Sequence, residues 1–145
     1  MIAIINGPNL NLLGKREPEI YGDMSFDFYL ESLRAHYKDE EIEYFQSNSE
    51  GEIIDELHRI GYESKGCKGI ILNPGAYAHY SYAIADAIKA IPMPVVEVHI
   101  SNIMAREEHR HRSVTAEGCK GMICGLGLIG YALAFEYLSK EVIPD

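Results

Sequence analysis

Glu97 and His99 stand one residue apart around Val98, and on a strand both side chains leave the same face within hydrogen-bonding reach. A carboxylate beside an imidazole fixes its tautomer and raises its proton affinity, which suits a general acid. A few residues on, Arg106-Glu107-Glu108-His109-Arg110-His111-Arg112 holds three arginines among two glutamates and two histidines. Glu107, Glu108, His109 and His111 read as a solvated, self-paired face. The pair His109-x-His111 brings no further ligand at a recognisable spacing, whereas zinc sites need three or four, so no metal is expected. The net charge of −9 repels anions at long range, so any acid bound here needs locally clustered Arg, His or backbone donors. This segment supplies such a cluster.

These residues need a scaffold, and the chain supplies its pattern. Short β-branched runs alternate with helical periodicity, the signature of βαβ units around a parallel sheet. Five strands are expected, roughly at residues 2–6, 42–46, 69–73, 95–99 and 120–125, the third fully buried. Helical stripes follow: Phe26, Tyr29, Leu30, Leu33 and Tyr37 after a Ser25 cap; Ile53, Ile54, Leu57 and Ile60; Ile84, Ala87, Ile88 and Ile91; and Leu128, Tyr131, Phe135, Leu138 and Val142. With right-handed crossovers, this is an α/β, flavodoxin-like, doubly wound five-stranded parallel sheet of order 2-1-3-4-5, with helices on both faces.

Ligands of such sheets bind beyond the carboxyl ends of the strands, near the switch point between the first and third. Three polar clusters fall there: Asn6-Gly7-Pro8-Asn9, Asn73-Pro74-Gly75-Ala76, and Glu97 through Ile100, Ser101 and Asn102. Each alone reads as turn chemistry; three converging with His and Arg read as a site. The connection from Gly7 to Asp23 is long and charged, as functional lids often are.

Other classes are excluded by composition. At 145 residues and 47% hydrophobic the chain suits one domain, 1–145, with a single core. No apolar run approaches the roughly 20 residues of a membrane span, and Met1 to Asn6 carries no secretory leader, so no membrane partner and a cytoplasmic location are expected. The acidic surface disfavours nucleic acid. Cys67, Cys119 and Cys124 form no C-x-x-C pair and read as free thiols of a reducing compartment. Gly125-Leu126-Gly127-Leu128-Ile129-Gly130 matches a dinucleotide fingerprint, but the chain ends before the second strand and acidic residue that such a site needs. These glycines are expected to allow close packing of the last helix.

Five segments together resemble type II 3-dehydroquinate dehydratase: NGPNLNLLGKREPEIYG (6–22), QSNSEGEIID (46–55), NPGAYAHYSYAIADA (73–87), EVHISNIMAREEHRHRS (97–113) and GMICGLGLIGYALA (121–134). The resemblance implies a cofactor-independent lyase of the shikimate pathway that removes water from 3-dehydroquinate through an enolate, assembled as a dodecamer of trimers. It implies that Tyr21 is the base, with Arg16 and Arg106 supplying positive charge; a free phenol ionises near pH ~10, so a phenolate base at neutrality needs on the order of 4 kcal/mol from such charge. It further implies that Asn9 holds the water that stabilises the enolate and that His99, oriented by Glu97, protonates the departing hydroxyl. Asn73, His79 and Arg110 would bind substrate hydroxyls, the amides of Ile100 and Ser101 would hold its carboxylate as a helix-start anion site, and Asp86 would act from a neighbouring subunit. The chain departs from the family's usual pattern at Ala78, Tyr80 and Ala85, which bears on subunit contacts. The competing reading is a catalytically inactive flavodoxin-like binding module, but Gly7-Pro8-Asn9-Leu10-Asn11 lacks a Gly/Ser/Thr-rich amide cradle for phosphate.

Overall fold

The five β-branched runs become strands β1 (Ile2–Asn6), β2 (Ile42–Gln46), β3 (Gly69–Asn73), β4 (Val95–His99) and β5 (Gly121–Cys124) in a computed structural model that describes residues 1–140. All pair in parallel in one sheet of order β2-β1-β3-β4-β5, as expected from the alternation of elements. β1, β3 and β4 are buried along their whole length, whereas β5, at the edge, is half-exposed.

Among the described residues five α-helices accompany the strands, four between them and the last after β5: α1 (Pro18–Tyr21), α2 (Phe26–His36), α3 (Glu50–Glu63), α4 (Tyr82–Ala90) and α5 (Ile129–Ser139). The two-residue period of the strands divides the core. Ile2, Ile4, Ile71 and Val98 pack with Phe26, Leu30 and Leu33 of α2 and Tyr131 and Phe135 of α5. Ala3, Ile5, Ile70 and Leu72 pack with Ile53, Leu57 and Ile60 of α3 and Ile84 and Ile88 of α4. Each fully buried aliphatic side chain contributes roughly 1.5–3 kcal/mol, which ties α2, α3, α4 and α5 to the sheet through their apolar stripes.

Helix ends follow local chemistry. Ser25, Ser49 and Ser81 accept from the amides of Phe28, Glu52 and Ile84 at 3.3, 3.4 and 3.0 Å, caps that are each worth about 1 kcal/mol. Pro92 bars its predecessor from helical geometry, so α4 ends at Ala90 and Ile91 is extended. Tyr37 likewise follows α2, and Leu128 precedes α5; Val142 lies outside the described residues.

Two expectations are refined. Of the three glycines thought to admit the last helix, only Gly130 lies within it, against Val98. Gly125 and Gly127 instead take left-handed turns at φ 85° and 66°, which glycine adopts without steric cost. The connection 7–23 is not wholly irregular, because Pro18 at the first helical position favours a one-turn helix and α1 forms there. Its start is pinned by Leu10 and Leu13, both buried in the core, so α1 is carried over the carboxyl ends of the strands.

Candidate active site

A cleft of about 200 Å³ opens beyond the carboxyl ends of β1, β3 and β4, where the strand order reverses. Asn9, Arg16, Tyr21, Asn73, His79, His99, Ile100, Ser101, Arg106 and Arg110 all line it. Glu97 lies behind His99 and is fully buried. Asp86 sits on the exposed side of α4, outside the cleft of its own chain.

At the end of β4, Glu97 Oε2 accepts from His99 Nε2 at 2.8 Å and from Ser113 Oγ at 2.6 Å, while Oε1 accepts from Thr115 Oγ1. Three donors compensate the cost of burying a carboxylate. With Nε2–H engaged by Glu97, Nδ1 is the His99 atom left for a ligand. The His79 ring lies 6.3 Å from that of His99 at an interplanar angle of 24°. Burial holds the His79 pKa below the ordinary imidazole value; the bond of Nδ1 to the Arg112 carbonyl at 2.8 Å opposes this, and charge on His99, Arg110 and His109 adds to it.

Across the cleft, Tyr21 ends α1 with its hydroxyl oxygen accepting from Arg106 Nη1 at 2.7 Å. The guanidinium groups of Arg106 and Arg16 each lie 5.4 Å from the Tyr21 ring centroid. Arg106 Nη1 also donates to Ser101 Oγ at 3.3 Å, and Arg16 pairs with Glu17 at 3.3 Å. Cationic groups around a phenol favour negative charge on its oxygen. Exposed Glu107 is self-paired as expected, and its partners are site arginines: it accepts from Arg110 Nε at 2.9 Å and lies 3.8 Å from Arg106 Nε. Its carboxyl is held below the usual range first by its own backbone amide and then by Arg110 and Arg106.

Asn9 holds a left-handed backbone at φ 67°, a conformation that Asn tolerates, and its amide donates to Asn48 Oδ1 at 3.0 Å. The amides of Ile100 and Ser101 donate to no acceptor among the described residues. They precede a three-residue 3₁₀ turn, Ile103–Ala105, rather than an α-helix. The expected helix-start site is therefore two local amides without the dipole of a helix, whose effect needs several aligned peptides. Among the described residues no three His, Cys, Asp or Glu side chains cluster to hold a metal ion.

Reading of the residues overlooked Ser113, Thr115 and Asn48. Ser and Thr in a connection read as loop composition, and only the fold brings Ser113 and Thr115 beneath Glu97. The Cys119 thiol, next to this network, is pushed up to about 12 by burial and by Glu97. The ensemble places a cation-flanked phenol on one side of a cleft, a carboxylate-oriented imidazole on the other, and free amides between, which suits proton abstraction and acid-assisted departure of a leaving group from a small anionic substrate.

Comparison with known proteins agrees with this chemistry. A family model described as dehydroquinase class II matches residues 1–139. The chain is 55% identical over 144 residues to a 3-dehydroquinate dehydratase of Caldicellulosiruptor bescii, covering 98% of this chain and 97% of that protein. It is 52% identical over 143 residues to one of Thermotoga petrophila, covering 97% and 96%. Among solved structures, the type II dehydroquinase of Butyrivibrio crossotus superposes with a TM-score of 0.89 at 46% identity, covering 96% of this chain and 97% of that one. That of Propionibacterium acnes gives 0.90 at 40% identity, covering 97% and 96%.

Proposed function

The chain belongs to the class II dehydroquinases, and on that premise we propose how its own residues carry out the family's reaction. It is a carbon-oxygen lyase that converts 3-dehydroquinate to 3-dehydroshikimate in the shikimate pathway. Tyr21 takes the proton next to the ketone, and the electron pair of the broken C–H bond moves onto the carbonyl oxygen as an enolate. Arg16 and Arg106 favour the anionic base, and Asn9 holds a water against the enolate oxygen. The enolate then collapses, the C–O bond on the opposite face breaks, and His99, held by Glu97, protonates the departing hydroxyl to water. The proton on Tyr21 returns to solvent and His99 is reprotonated, so water is the only net by-product.

Asn73, His79 and Arg110 hold the substrate hydroxyls, and the unengaged amides of Ile100 and Ser101 receive its carboxylate. Asp86, facing away from its own cleft, serves the site of a neighbouring subunit in a dodecamer built from trimers. One catalytic domain over 1–145 acts in the cytoplasm without a cofactor. Its three free cysteines suit a reducing compartment, and no described helix is long and apolar enough to cross a membrane.

The observation that carries this reading is the 2.7 Å bond from Arg106 to the Tyr21 oxygen, in the same cleft as an imidazole fixed by a buried carboxylate. Chelator-treated protein mixed with 3-dehydroquinate at neutral pH is expected to produce the ultraviolet absorbance of a conjugated enone. No rise from a folded, assembled sample would overturn the reading.

A further inference from the structure

Asn6 and Asn73 end the adjacent inner strands β1 and β3 and are partners in the β1–β3 register. Both are buried, at 0% and 3% exposure. Beneath them lies Tyr131 of α5, fully buried, its ring in edge contact with Phe26 at 4.9 Å. Its hydroxyl donates to Asn6 Oδ1 at 2.8 Å and accepts from Asn73 Nδ2 at 2.8 Å. Only Asn73 of this group lines the cleft.

The direction of every bond follows from one backbone group. The Gly75 amide can only donate, and it donates to Asn73 Oδ1 at 3.1 Å. That assigns oxygen to one edge of the Asn73 amide and nitrogen to the other, so Tyr131 must accept from Asn73 and spend its own proton on Asn6. Asn6 Nδ2 is then the donor left to meet Tyr44, at 3.4 Å. Gly75 holds φ at 60° with Pro8 against it, which keeps the starting donor in place. A tyrosine this deep in the core needs a partner for its hydroxyl, and here both partners stand at the ligand end of the sheet.

We propose that Tyr131 is a positioning residue for substrate binding: its buried hydroxyl clamps the Asn73 amide from the side opposite Gly75 and so fixes the edge that this side chain presents to the cleft. The inference rests on the reading of Asn73 as a substrate-hydroxyl ligand. Without the Tyr131 hydroxyl, Asn73 is held on one edge only and must be ordered again at each binding event, which weakens binding of ground state and transition state alike and raises KM at unchanged kcat.

The test is a double-mutant cycle of Tyr131→Phe and Asn73→Ala in the assembled enzyme, with KM, kcat and thermal midpoint measured for each variant. Tyr131→Phe is expected to raise KM about fivefold, the equivalent of one hydrogen bond, with kcat within about twofold of wild type. In the Asn73→Ala background the same change is expected to leave KM where it stands. A general loosening of the core would lower the thermal midpoint in both backgrounds and leave the KM effect additive. Should Tyr131→Phe not fold, Asn6→Ala, which frees the Tyr131 hydroxyl to rotate, takes its place with the same expectations. A KM rise that persists without Asn73, or no rise at all where Asn73→Ala raises KM, overturns the role of Tyr131 alone. Unchanged KM in Asn73→Ala overturns the assignment of Asn73 to substrate, and the clamp with it.

Discussion

The two hydroxyls beneath Glu97 are not equivalent, and Thr115→Val separates them. Glu97 Oε2 accepts from both His99 and Ser113, whereas among the described residues Oε1 accepts from Thr115 alone. Valine nearly matches threonine in shape, so the change deletes one donor and leaves a charged oxygen unbonded in a site of 0% exposure. Such an orphan costs about 3 kcal/mol, the upper end for a buried acceptor because it is charged. Ser113→Ala leaves Oε2 its bond to His99 and costs about 1 kcal/mol. At roughly 2.1 cal/mol/K of unfolding entropy per residue, a chain of 145 residues loses about 3 °C per kcal/mol. The expected falls in thermal midpoint are therefore about 10 °C for Thr115→Val and about 3 °C for Ser113→Ala. Because Glu97 orients His99, kcat should also fall about tenfold or more in Thr115→Val, and Thr115→Ser should recover most of both losses. Calorimetry and the enone absorbance read the two effects on one sample. If Thr115→Val melts and turns over like wild type, or if Ser113→Ala is the more damaging change, the account of the carboxylate is wrong.

Tyr21→Phe removes the proposed base from a half-buried position and is expected to lower kcat by about 10²- to 10⁴-fold while the circular dichroism melt stays put; retained turnover would reassign the base. Arg106→Ala deletes the charge-assisted bond to the Tyr21 oxygen, worth about 1.5–3 kcal/mol, and should reduce kcat/KM roughly 10- to 150-fold. An Arg106→Ala enzyme of normal kcat/KM would show that the bond serves structure alone. Glu40 takes hydrogen bonds from Lys68 and the N-terminal ammonium, which hold its carboxyl below the usual range. Its folded value being the lower one, its contribution is complete above the ordinary carboxylate range and lost as pH falls through the folded value. Glu40→Gln should therefore melt below wild type at pH ~7, with the gap narrowing as pH falls below the ordinary carboxylate range; a gap that stays constant on acidification would rule out this linkage.

Much of the scaffold is legible in the amino-acid sequence. The β-branched runs and apolar stripes encode their own periods of two and 3.6, and Ser25 caps within three residues, so these features are decided by neighbours along the chain; Ser49 and Ser81 cap α3 and α4 by the same local chemistry but were overlooked. The alternation of elements and the right-handed crossover then leave few topologies, and the rule placing ligands at the strand ends singled out Asn9, Asn73 and His99. Glu97 with His99 was readable because strand geometry alone puts them side by side. The edge of the last helix was less legible, since three glycines in one motif turned out to serve a packing contact and two left-handed turns.

What tertiary structure alone decided is how these groups are held. Two of the three donors to Glu97 come from 16 and 18 residues away, the bond from Arg106 to Tyr21 spans 85, and Tyr131 joins residues 58 and 125 positions distant. No sequence period extends over such intervals, because a hydrogen bond requires alignment within a few tenths of an ångström, which only the packed sheet and helices fix together. The amino-acid sequence by itself therefore determined which chemical groups gather at the carboxyl ends of the strands. The partners that the folded chain brings to each one, such as the Gly75 amide at Asn73, decided the direction in which it donates or accepts.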